Sequence, residues 1–135
     1  MVRARRKGAP KPWIGTKISS TIVEFGLPLI EQLPPAPSRE LCEQTFQLII
    51  LIWNAYTVSR FWGQPQYLAE AHDTIRNAVA EGALPIDALE AFAALSARRQ
   101  QPPFVDDPRA VGHWELRATA AGNWNLHCDA RLPPS

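Results

Sequence analysis

With 135 residues, 46% of them hydrophobic and 20% charged, the chain suits one folded domain with a core of its own rather than two. Its net charge of +1 conceals a division: residues 1–17 carry six basic groups and no acid, while the other 118 carry eight basic and thirteen acidic groups. No apolar run reaches the ~18 residues of a membrane span, no leader pattern of basic, apolar and small residues is seen, and two cysteines make neither a disulfide framework nor a zinc site; a cytoplasmic protein with free thiols at Cys42 and Cys128 is expected.

Met1 to Pro12 is Arg, Lys, Gly, Ala and Pro with almost nothing to bury, so residues 1–12 are expected to form a basic flexible arm and residues 13–135 a single globular domain. Arg3, Arg5, Arg6, Lys7, Lys11, Trp13 and Lys17 are the candidate partner- or phosphate-binding residues. A cationic segment of this kind gives sequence-independent, salt-sensitive affinity for nucleic acid. The same charge, with Trp13 as an anchor, also suits an acidic groove of a protein partner, and the plainest alternative is a solubility tail.

Ile18, Ile22, Phe25, Leu29 and Leu33 fall on one helical face, with Thr16 as a candidate N-cap. Gly26 and Pro28 interrupt that face, which predicts a kink or a restart near Leu27. Pro34, Pro35 and Pro37 make a stiff connector. Ser38 then caps a helix expected over residues 38–60, uninterrupted by Gly or Pro and carrying Glu40 in its first turn and Arg60 at its end. Leu48 to Trp53 is apolar on every side, so this helix is expected to be enclosed by the rest of the chain.

Phe61-Trp62-Gly63-Gln64-Pro65 reads as a stop, with Gly63 free to take positive φ. Trp62 and Tyr67 flank it, either packed between helices or projecting as interface anchors. Pro65 is expected to open a third helix, with Leu68, Ala71, His72, Ile75, Ala78 and Val79 inward and Gly82 as its end. Pro85 is expected to open a fourth, with Ile86, Leu89, Phe92, Ala93 and Leu95 inward and Arg98-Arg99 at its close.

After Pro102-Pro103 the pattern changes to period two. Val111–Ala118 and Trp124–Arg131 read as an antiparallel hairpin within residues 104–131, with Trp114, Leu116 and Ala118 facing Cys128, Leu126 and Trp124. On the other face this register sets His113 opposite Asp129 and Glu115 opposite His127. Two imidazoles and two carboxylates are a possible metal set, but Arg117 and Arg131 on the same face favour charge pairing in solvent. The run from Arg98-Arg99 through Phe104 to Asp106-Asp107-Pro108-Arg109 reads as an internal latch between the last helix and the hairpin.

The predicted fold is α+β, mostly α: an irregular four-helix bundle (helices within residues 13–100) around a buried central helix, followed by a C-terminal antiparallel β-hairpin. There is no GxSxG elbow and no Gly-rich phosphate loop, so neither enzymatic activity, cofactor nor metal is expected; a metal-dependent hydrolase on the hairpin's polar face is the third and weakest idea. The expected function is a non-catalytic protein-interaction module of bacterial type (accessory, adaptor, antitoxin or immunity-like) that binds a protein partner or self-associates. The alternative is a nucleic-acid-binding protein that uses the basic arm for phosphate contacts. The Arg-over-Lys bias suggests the bacterial origin.

Overall fold

The computed structural model describes residues 17–120 and 124–134. They form, in order, α1 (Ile18–Phe25), α2 (Leu27–Ile30), α3 (Arg39–Phe61), α4 (Tyr67–Ala80), α5 (Ala88–Arg99), β1 (Ala110–Ala118) and β2 (Trp124–Arg131). The class is the expected one, α+β with most of the chain helical. Five helices replace the four expected among the described residues, because the first face breaks at Gly26 and restarts as the short α2, with Pro28 in its first turn. Gly26 suits this elbow through its lack of a side chain: a Cβ there would lie 2.5 Å from Ile49 Cδ1 of α3. The candidate cap Thr16 lies outside the described residues, and the N-cap position of α1 is held by Lys17 without a side-chain bond.

The central helix forms for the reasons its sequence gives. Ser38 Oγ accepts the Leu41 N–H at 3.1 Å, and the helix then runs unbroken for 23 residues to Phe61. Ile49, Ile50, Ile52, Trp53, Ala55 and Thr57 are buried. Its enclosure is less complete than expected: Leu48 and Leu51 are half-buried and Gln44 and Gln47 exposed, since no described element covers that side of the helix as closely. Trp53 sits at the middle of the core, edge-on to Phe25 of α1 (5.2 Å between ring centroids) and to Phe104 of the loop before β1 (6.1 Å).

Each of the next two helices begins two or three residues later than expected. Pro65 and Pro85 lie in turns that precede α4 and α5, and helix begins at Tyr67 and Ala88. In consequence Ile86 is 83% exposed instead of inward. Ala93 also faces out, because the inner face of α5 is Ala88, Phe92, Leu95 and Arg99 at spacings of four, three and four. Gly82 ends α4 as expected, at φ +80°; its N–H bonds the Val79 carbonyl at 3.1 Å and the Ala83 N–H bonds the Ala78 carbonyl at 2.8 Å, a Schellman closure.

The hairpin pairs Trp114 with Cys128, Glu115 with His127, Leu116 with Leu126 and Ala118 with Trp124, the expected register. Further along, two residues of β1, Gly112 and His113, stand against Asp129 of β2. This bulge removes the expected His113–Asp129 pair and shifts the start of β1 by one position. Leu116, Leu126 and Val111 are buried on the helices, while Trp114, Trp124 and Cys128 are half-buried. β2 lies along α1 and β1 along α3.

Candidate binding groove

Arg3, Arg5, Arg6, Lys7, Lys11 and Trp13 lie outside the described residues; Lys17, the last of that group, is exposed. Tyr67 opens α4 at 36% exposure. Trp62 is half-buried, with its indole Nε1 turned inward and without a hydrogen-bond partner among the described residues.

The four polar residues of the hairpin line one open cleft together with Arg109 and Arg117, and their contacts there are ion pairs. Glu115 accepts from Nε of Arg117, its neighbour two along the same strand, at 3.0 Å, and the His113 imidazole stands 3.9 Å from its other oxygen. The Arg117 guanidinium holds the Glu115 carboxyl below its usual range. Among the described residues no group of three or more His, Cys, Asp or Glu could hold a metal ion. The hydrolase idea therefore has no ligand set to stand on, and charge pairing within β1 takes its place.

The charged run before the hairpin folds inward as the expected latch. Arg99 and Asp107 are both fully buried and Arg109 nearly so. The Arg99 guanidinium donates to the Phe104 carbonyl, to Thr57 Oγ1 at 2.8 Å and to the Asp107 carbonyl at 2.7 Å, and its carbon lies 3.7 Å from the Trp53 ring centroid. Burial pulls its pKa down to about 10, against the attraction of Asp107. Arg109 grips Asp107 with two bonds, Nε to Oδ1 at 3.0 Å and Nη2 to Oδ2 at 2.7 Å, and reaches Thr21 Oγ1 of α1 at 3.2 Å. Of the two buried guanidiniums, Arg109 thus takes the carboxylate, while backbone carbonyls, a hydroxyl and a ring face answer Arg99. This cluster is closed in on the interior, so it sets the approach of the hairpin to the helices and is not a binding surface.

Elsewhere, α1, α2 and β2 leave an open groove of about 800 Å³. Val23, Leu27, Ile30 and Phe46 form its apolar wall, Trp124 to His127 the opposite one, and Lys17 and Glu24 stand on the α1 side. Lys17, at the N-cap, and Glu24, seven residues on, stand at opposite ends of α1. The Trp124 end is fixed: its Nε1 donates to the Pro37 carbonyl at 3.3 Å, and the Arg39 guanidinium carbon lies 5.3 Å from its ring centroid. A smaller cleft of about 370 Å³ lies between α2, α3 and α5, with Leu29, Leu48, Ala88 and Ala91 at its base and Asp87 and Glu90 on its rim.

Sequence reasoning did not find the groove. Its walls come from segments about a hundred residues apart, and Val23, Leu27 and Ile30 lie off the Ile18, Ile22, Phe25 face that the periodicity picks out. Burial disfavours the thiolate form of both cysteines: it raises the Cys42 pKa and pushes that of Cys128 up to about 11, the latter against a hydrogen bond with Ser19. No described helix is long and apolar enough to cross a membrane. Comparison of the chain with protein-family models, with curated proteins and with solved structures returns no match in any of the three.

Proposed function

We propose that this chain is a non-catalytic interaction module that works by binding a protein partner or a second copy of itself, as an accessory, adaptor, antitoxin or immunity-type protein of a bacterial cytoplasm would. The observation that supports the reading is the open, mostly apolar groove between α1, α2 and β2. A trough of this kind, edged by polar groups, is a common feature of surfaces that receive another chain. Tyr67 at the start of α4, together with the half-buried Trp62, offers a second, smaller contact point.

A second reading, nucleic-acid binding, draws on the six basic groups of residues 1–17. Arg3, Arg5, Arg6, Lys7, Lys11 and Lys17 would then contact phosphates, and the folded body would only position them. Salt separates the two. The interaction module retains its protein partner, or its own dimer in sedimentation, at 0.5 M salt and after removal of residues 1–12. Affinity for generic duplex DNA that falls steeply with salt and vanishes with that deletion would overturn it in favour of the second reading.

A further inference from the structure

We propose that the groove takes an extended segment of a partner protein, added as a third strand along the outer edge of β2. This deepens the interaction-module reading and rests on it. Two side chains fix the direction of the main-chain groups. Arg39 donates to the Leu116 carbonyl at 3.1 Å, and Ser19 Oγ accepts the Cys128 N–H at 2.8 Å, so both groups point away from the opposite strand. In an antiparallel ladder the N–H and C=O of one residue point to the same side and the side alternates along the strand. Leu126 and Trp124, two and four positions from Cys128, therefore turn their N–H and C=O outward, consistent with their pairing to Leu116 and Ala118.

That outward row faces the groove, and among the described residues Ser19 is the side chain that reaches it. A row of alternating donors and acceptors beside an apolar trough matches an extended main chain: the backbone satisfies the row, and alternate side chains enter the trough. Charge narrows the class of segment. Lys17 and His127 stand towards one end of the groove and Glu24 lies further along α1. Seven helical residues rise about 10 Å, which an extended chain covers in roughly three residues. Because only alternate side chains face the trough, the complementary segment carries an acid and a base an even number of positions apart, about two or four, with apolar residues at the other trough-facing positions. The chain's own residues 1–17 contain no acid and do not supply that pair.

The test uses a displayed library of random seven-residue peptides panned on the full-length protein, followed by titration of the recovered peptides and amide NMR. Recovered peptides are expected to show the acid–base spacing and to bind Glu24→Lys at least about tenfold more weakly. The amides of Trp124 and Leu126 are expected to shift and to exchange at least about tenfold more slowly when peptide is bound, while Asn125, whose N–H faces β1, does not change. Glu24 is exposed, so that variant folds, and circular dichroism checks it. Failure to recover a binder, binders indifferent to Glu24→Lys, or binding without a response at Trp124 and Leu126 each overturns the proposal. A salt-resistant protein partner found alongside any of those results would keep the interaction module and remove only the strand addition.

Discussion

Along β1 and the residue just before it, four side chains of α3 reach main-chain groups: Trp53 Nε1 donates to the Arg109 carbonyl at 2.8 Å and Thr57 Oγ1 reaches the same carbonyl at 3.3 Å, Asn54 both accepts the Val111 N–H at 2.8 Å and donates to the Val111 carbonyl at 2.9 Å, and Arg39 donates to the Leu116 carbonyl. Along β2, Ser19 makes the single such bond among the described residues. The contrast explains why a helix so apolar keeps Trp, Asn and Thr in its buried stretch. A polar side chain in the interior is tolerated when its partners are fixed, and here the partners are the otherwise unmatched edge of a strand. One edge of the sheet is anchored by the central helix, and the other is left beside an open trough.

The contrast can be broken most severely from within the latch. Arg99→Ala strips three acceptors of their donor and unpins the loop that leads into β1, with an expected loss of about 3–5 kcal/mol in denaturant unfolding. For a chain whose total stability is of the order of 5–15 kcal/mol, that leaves a marginal fold. Asn54→Ala orphans the N–H and C=O of Val111 together and is expected to remove about 2 kcal/mol. Ser19→Ala, the matching deletion on the β2 side, is expected to lower the unfolding free energy by about 1 kcal/mol or less, because the freed Cys128 N–H lies at the margin of open space. Equal losses for Asn54→Ala and Ser19→Ala would erase the distinction between the edges.

A separate effect, read in chemical reactivity rather than packing, concerns the Cys128 thiol. Its pKa is pushed up from the ordinary 9.0 to about 11, so at pH 8 alkylation is expected to run roughly a hundredfold more slowly than in the unfolded chain. A raised thiol pKa gives stability that is full below pH 9 and is lost as pH climbs from 9 through 11. Denaturation midpoints measured across that window in wild type and Cys128→Ser check the sign: the decline is expected to be shallower in the variant.

Local rules carried the sequence reading as far as local rules apply. The Ser38 cap, the Gly82 closure, the break at Gly26 and the Leu116–Leu126 register each follow from a few neighbouring residues and their steric or hydrogen-bonding demands. The starts of α4 and α5 slipped because Pro65 and Pro85 permit a helix start without requiring one, and both chose a turn. His113 lost its partner to a bulge at Gly112, whose missing side chain was a signal of irregularity that the period-two reading passed over. Burial of Arg99 and Asp107 lay beyond the reach of composition: their acceptors are backbone carbonyls and a hydroxyl brought together by the tertiary fold. The groove was hidden for the related reason that it is defined by what fails to cover α1 and β2.

Asn54 carries one more implication, for chemical ageing. Its amide works as a two-sided clasp, giving a proton to one backbone oxygen and taking one from the adjacent nitrogen. Hydrolysis to aspartate would keep the receiving half and replace the giving half with an anion directed at the Val111 carbonyl. A one-dalton change at this position would therefore turn the clasp on β1 into a repulsive contact, and old preparations should release that strand before the rest of the molecule.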